Sequence, residues 1–445
     1  MSNYLNSTCL YTAQRLLKIC AIIIAVIAIC SCQSLYPDSK NGNSSGESAS
    51  ELVPQINAKT VPPQVAPPDH IRSVELFRNS PGGVPVITLN SNEQITLRFD
   101  ELADASNTFT VRVRHFNADW TESSLISGQV NRGFQDDIIG GGRAGVGQFP
   151  SFYSYTYTFP NRELGIRVSG NFMIEVSDYA SRELLFSLPF FVMEDRGRLD
   201  ASVTEFFQGR NFPYHQIFAE YYFPNFVNLP LTDIDIYFVQ NQFWGRSRRA
   251  SQRDVSSPDY IRVHNDRNEG FPGRYEFRPL HIDDIYSISR DVIEVRPDRD
   301  PPLIRLQYDL VDLDINPRPS RSYAFGSPRT GRNARYTEVE FNLNRPSFLD
   351  PDEEVYIMGS FTNWNLTNSQ RMVYRESDDA FSTRIFMKEG RYDYTYAIRT
   401  RTGIDDLRLA AFFAQTVQDY QILVYFRDQQ ENYDRLLQYG SLRSR

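Results

Sequence analysis

Tyr153-Ser154-Tyr155-Thr156-Tyr157-Thr158-Phe159 alternates an aromatic with a small hydroxyl side chain at every step. In an extended chain successive side chains point to opposite faces, so the four aromatics share one face and the hydroxyls share the other. That spacing predicts a half-buried β-strand. The same alternation recurs in Ile95–Phe99, Val111–Val113, Phe172–Val176, Ile234–Phe238, Val339–Leu343 and Tyr392–Tyr396. No long helical period competes with it. Short strands punctuated by Gly, Pro, Asn and Asp predict an all-β chain of antiparallel sandwiches.

Breaks at Asp195-Arg196-Gly197 and across Pro317–Asn333 divide the body into three tandem modules of immunoglobulin-like size. The expected boundaries are 69–196 for a first sandwich, 197–330 for a second with its linker, and 331–445 for a C-terminal sandwich. Upstream, residues 32–68 carry Ser, Asn, Gly and Pro without an apolar period (Asn41–Gly46, Pro62-Pro63, Pro67-Pro68). Such a segment buries too little apolar surface to offset its ordering entropy and is expected to be a disordered tether.

Before the tether, Arg15 and Lys18 lead into the apolar run Ile19–Ile29 and then Cys30-Ser31-Cys32. The run is shorter than the ~20 residues a membrane span needs and fits an export signal over residues 1–31. Ser31-Cys32 resembles a bacterial lipobox, with Cys32 as the lipidated mature N-terminus that holds the protein on a membrane. All four cysteines (Cys9, Cys20, Cys30, Cys32) lie in this segment. A disulfide framework, a thiolate zinc site and a cysteine nucleophile are thereby excluded from the rest of the chain.

The chain is 41% hydrophobic and 13% aromatic with a net charge of −8, a balance without the basic footprint of nucleic-acid binding. Lys18, Lys40, Lys59 and Lys388 are its only lysines, so arginine supplies the other 43 of the 47 cations. Arg and Tyr are both enriched at protein interfaces.

Candidate chemistry is sparse. His70, His115, His215, His264 and His281 have no partner at metal-ligand spacing, and His115, following Val111 and Val113, reads as a satisfied residue at a strand end. Gly140–Gly145 formally satisfies G-x-G-x-x-G, but no helix opens after it to supply donors to a phosphate, so it reads as a mobile surface loop. Asp312–Asn316 spaces oxygen ligands like the start of a calcium loop, yet Pro317 stands where glycine is needed, and a strand with a polar face is the better reading. The sequence predicts no catalytic residue, no metal site and no cofactor.

Val355–Trp364, with Met372, Phe381, Glu389-Gly390 and Tyr392–Tyr394, resembles the early-set sandwiches of glycogen- and starch-binding modules. That likeness makes Trp364 either a platform for a sugar or the hydrophobic plug of its sandwich. A second resemblance spans nearly the whole body. His115–Trp120, Gly133-Phe134, Ser169–Phe172, Pro189–Val192, Gly359–Trp364, Asp419–Arg427 and Tyr433–Leu436 are similar, in order and spacing, to the plug protein family of bacterial type IX secretion.

The family resemblance implies a non-enzymatic accessory lipoprotein on the periplasmic side of the outer membrane. Its partner would be the large outer-membrane β-barrel translocon that passes folded cargo, which it would occlude or gate. Trp120 and Trp364 are the candidate interface contacts. The alternative is a surface lipoprotein that binds glycans through Trp364.

Overall fold

The structure, a computed structural model, describes residues 58–146, 150–208, 212–254, 256–273, 275–286, 291–311, 326–331, 333–412 and 416–444. The signal, Cys32, most of the tether and the Asp312–Asn316 stretch lie outside the described residues. Among those described, no helix exceeds four residues, none is long and apolar enough to cross a membrane, and the strands build three β-sandwiches.

The first sandwich runs from Ile71 to Met193. One sheet has the order Ile71–Arg78, Ile95–Leu102, Phe152–Phe159, Arg143–Ala144; the other has Val86–Thr88, Leu184–Met193, Gly170–Asp178, Phe109–Phe116, Asp136–Ile139. The alternation read from the sequence is the burial pattern: Ile95, Leu97 and Phe99 are buried while Thr96 and Arg98 are not fully so. Phe99 pairs in register with Tyr155 and stacks on it, ring centroids 5.0 Å apart. Arg143 and Ala144 pair with Ser154 and Tyr153, so the glycine-rich stretch expected to be a mobile loop carries a short edge strand. A Cβ on Gly142 would strike the Tyr155 ring, and that close approach fits the stretch against the sheet.

The contiguous division at 197–330 and 331–445 is corrected by strand pairing. The middle sandwich packs a sheet of Arg198–Gln208, Phe212–Tyr222, Tyr260–His264 and Gln252–Asp254 on a sheet of Arg248–Arg249, Ile234–Gln240, Asp419–Asp428 and Tyr433–Arg443. Ile234–Gln240 pairs with Asp419–Asp428, from Ile234↔Phe426 to Gln240↔Tyr420. The third sandwich is therefore an insertion. Its sheets contain Arg278–Ile282, Glu354–Gly359 and Gly390–Thr400 on one side, and Val292–Arg296, Leu303–Asp309, Tyr336–Asn344 and Ala380–Lys388 on the other. The glycine- and proline-rich break falls between two strands of this one sandwich, Leu303–Asp309 and Tyr336–Asn344, since composition does not record which strands pair across it.

The tether expected over 32–68 ends earlier than predicted. Residues 58–68 are described, and Ala58, Lys59, Val61 and Gln64 are buried. This strap is held by main-chain bonds, Gly245 N to Lys59 O (3.1 Å) and Ser187 N to Val65 O (3.1 Å), which local composition does not foretell.

Candidate functional site

The blocks His115–Trp120, Ser169–Phe172, Pro189–Val192, Asp419–Arg427 and Tyr433–Leu436 converge on the seam between the first and middle sandwiches. Phe116, Ala118, Trp120, Met173 and Phe191 form one apolar cluster with Val239, Trp244, Leu423, Tyr425 and Leu436. Phe191 meets Trp244 at 4.4 Å between ring centroids. Polar pairs cross this seam: Tyr425 OH donates to Asn171 Oδ1 (2.5 Å), Ala118 N to Asp434 Oδ2 (3.0 Å), and Arg435 forks onto Glu194 (2.8 and 2.7 Å). Main-chain bonds from Glu194 N and Arg196 N to Leu436 O and Leu437 O (2.9 Å each) join the two modules directly.

His115 is a satisfied buried residue, as its position after Val113 suggests. Its ring nitrogens lie 2.8 Å from Ser123 Oγ and 3.0 Å from Ser169 O. Burial pushes its pKa down to about 4, with the Ser169 carbonyl opposing. Among the described residues no group of three or more His, Cys, Asp or Glu side chains is placed to hold a metal.

Trp120 and Trp364 are not surface platforms. Trp120 is 9% exposed at the seam just described, and Trp364 is 7% exposed. Trp364 packs between Phe243 (5.2 Å) and Phe277 (4.9 Å), joining the middle and third sandwiches. Of its two readings, the hydrophobic plug describes this position. Asn363 and Trp364 adopt positive φ (50° and 60°), which turns the indole inward from the loop.

The residues the sequence reading missed are the charges at the other junctions. Lys59, from the strap, ion-pairs with Asp406 of the third sandwich, and Arg246 of the middle sandwich forks onto the same carboxylate (3.1 and 2.9 Å). The ammonium sits over Phe243, Trp364 and Phe277 at 4.6, 5.4 and 5.7 Å from the ring centroids. Burial drives Lys59 down to about 7 while Asp406 pulls the other way. Burial would push Asp406 up, but Arg246 and Lys59 outweigh it and hold the carboxyl well below the usual range.

At the first–third junction, Lys388 Nζ donates to Asp100 Oδ2 (2.7 Å), and Tyr336 OH donates to the same oxygen (2.7 Å). Both described lysines are thus buried ties between modules. The signal was present in the sequence as the scarcity of lysine. A compact ammonium fits an enclosed pocket of aromatic faces and one carboxylate, whereas a guanidinium demands a planar fork of acceptors.

Between the three sandwiches lies a cavity of about 130 Å³, lined by all three and by the strap. Glu75 stands in its wall. Burial raises its carboxyl to about 7, with Arg98, its cross-strand partner, opposing.

Residues 71–194 match the family model described as "Type 9 secretion system plug protein 1st domain". Among solved structures, the chain is similar to a hypothetical protein from Parabacteroides merdae ATCC 43184, with 23% identity over 85% of this chain and 98% of that one and a TM-score of 0.78; that likeness shows a shared fold. The C-terminal domain of the Streptococcus pyogenes antigen I/II-family protein AspA aligns over 83% of this chain and 98% of that one, but at 6% identity and a TM-score of 0.17 it carries no structural argument. No curated protein matches the chain. The match over residues 71–194 covers the first sandwich and agrees with the type IX secretion plug family resemblance read from the sequence.

Proposed function

We propose that this protein is a non-enzymatic accessory lipoprotein of type IX secretion that occludes or gates an outer-membrane barrel from the periplasmic side. The observation that carries the reading is the plug-domain match over residues 71–194. Physical reasoning supports it. A wide pore is blocked only by a body that resists deformation, and here each sandwich is tied to the other two by buried ion pairs, aromatic contacts or main-chain hydrogen bonds. Lipid on Cys32 would keep that body near the membrane, so a weak barrel contact could hold it and still release it.

The test is purification through a C-terminal tag from detergent-solubilised outer membranes. A large β-barrel protein should co-purify. Isolation of the protein free of any outer-membrane barrel, under conditions that leave the barrels intact, sinks the proposal. Cys32→Ser should move the protein from the membrane to the soluble fraction, and protease treatment of intact cells should leave the body uncut if it faces the periplasm.

A further inference from the structure

Arg198–Gln208 is the terminal strand of its sheet in the middle sandwich. Its eleven residues pair with Phe212–Tyr222 without a bulge, and on that side only among the described strands. Main-chain groups on the outer side of a terminal strand are a template for another strand, and folded proteins blunt such edges by shortening, bulging or covering them, or with lysine and proline. Other edges of this protein follow that rule. Asp136–Ile139, Arg143–Ala144, Gln252–Asp254 and Val373–Arg375 have two to four residues, Ile71–Arg78 is bulged between Arg72 and Glu75, and Tyr433–Arg443 is covered where Leu436 O and Leu437 O accept from Glu194 N and Arg196 N. Arg198–Gln208 has none of these devices. It contains no lysine or proline, and of residues 198–207 all but Leu199, Val203 and Phe206 are exposed.

The strand is complementary to itself. Leu199, Val203 and Phe207 stand four apart on one face, where Leu199 and Val203 flank the core of the middle sandwich and Phe207 is 58% exposed. A twofold axis normal to a continuous sheet keeps every side chain on its own face, so in an antiparallel pair of identical strands odd residues meet odd and even meet even. The register that overlaps all eleven residues sets Val203 against its own copy, Leu199 against Phe207 and Ala201 against Glu205. On the opposite face Ser202 meets Thr204, Asp200 meets Phe206 and Arg198 meets Gln208. No charge meets a like charge, and apolar side chains oppose one another at the centre and both ends of one face. A slide of two residues either way loses this match, because Glu205 then meets Leu199 or Val203.

We propose that two copies of this chain associate through Arg198–Gln208, antiparallel about a twofold axis at Val203, joining their middle sandwiches into one continuous sheet. The size of the contact sets its strength. An edge ~37 Å long and ~10 Å deep offers about 370 Å² on each copy, less than half of the ~800 Å² per partner typical of stable complexes. The dimer is therefore weak and reversible. The inference stands on this edge and not on the secretion reading.

Sedimentation equilibrium of the full chain in detergent should show monomer and dimer in exchange as concentration rises. Ser202→Glu combined with Thr204→Glu, at two exposed positions that meet across the axis, should weaken association about tenfold or more. Mixing that variant with one carrying Ser202→Arg and Thr204→Arg should restore it. The register has its own readout, because all four cysteines of the chain lie within residues 9–32. Oxidation of Val203→Cys should link two copies in yield above the wild type, whereas Arg198→Cys, ~34 Å from its own copy at ten residues of ~3.4 Å each, should not. A wild type that stays monomeric up to about 100 µM, glutamates that leave association unchanged, or linkage no greater through Val203→Cys than through Arg198→Cys overturns the proposal. The wild-type measurement needs no substitution, so misfolding of a variant does not shelter the idea.

Discussion

Lys388 of the third sandwich and Asp100 of the first meet at 2.7 Å with their side chains 4% and 5% exposed. Asp100 also accepts from Tyr336 OH (2.7 Å) and Ser154 Oγ (2.5 Å), and the Lys388 ammonium lies 4.5 Å from the centre of the Phe152 ring. Neither charge has water to fall back on. The pair therefore fixes the seam geometrically, since sliding one module past the other would strand both ions.

Lys388→Met should destabilise the protein by about 3–5 kcal/mol, because Asp100 is left buried without its counter-charge. Adding Asp100→Leu should recover part of that loss. Urea denaturation of the single and double variants measures it, and additive effects would show that the two charges do not act as a pair.

Asp406→Ala removes the carboxylate shared by Lys59 and Arg246. The strap should then open locally before global unfolding, seen as faster amide exchange over residues 58–65. Lys59 has a pKa already lowered to about 7. Without Asp406 to oppose burial that value falls further, and the opened strap takes up a proton on Lys59 that the closed one holds off, so the loosening should be greater at about pH 6 than at about pH 9. Equal exchange at both pH values would remove Lys59 charge from the account.

Trp364→Ala should cost about 3–5 kcal/mol, the range for deleting a buried aromatic. The wild type should migrate unretarded in gels containing starch or glycogen, because the indole faces Phe243 and Phe277 rather than solvent. Retardation in either polysaccharide, abolished in the variant, would restore the sugar-platform reading.

His115 is held neutral, its pKa lowered to about 4. The unfolded chain takes up a proton near pH 6.5 and the native state does not. Stability is therefore fully present above that value and declines as pH falls toward 4, by about 2 kcal/mol at about pH 5. His115→Gln should flatten this part of the pH–stability curve. An unchanged slope in the variant would assign the acid sensitivity elsewhere.

Much of the architecture could be read without coordinates. Tyr153–Phe159 appears as the strand Phe152–Phe159, Val339–Leu343 lies within Tyr336–Asn344, and Tyr392–Tyr396 lies within Gly390–Thr400. Each was legible because a two-residue period reports directly on which side chains leave water. The family likeness was legible for a related reason. Five of its seven blocks build one seam, and a seam constrains the residues on both of its sides together.

Chemistry at the junctions was not legible in the same way. Nothing near Lys59 in sequence announces Asp406, which lies 347 residues away, and Trp364 carries the same local context whether it faces a sugar or Phe243. By itself the sequence determined the all-β class, the faces of the strands and the absence of cysteine chemistry from the body, because these depend on local alternation and composition. Only the tertiary structure decided that Asp419–Arg443 closes the middle sandwich, that the strap begins before residue 69, and that lysine serves as a buried tie. Those outcomes rest on pairings between distant segments, and the free energy of such a pairing exists only once both partners have been brought out of water.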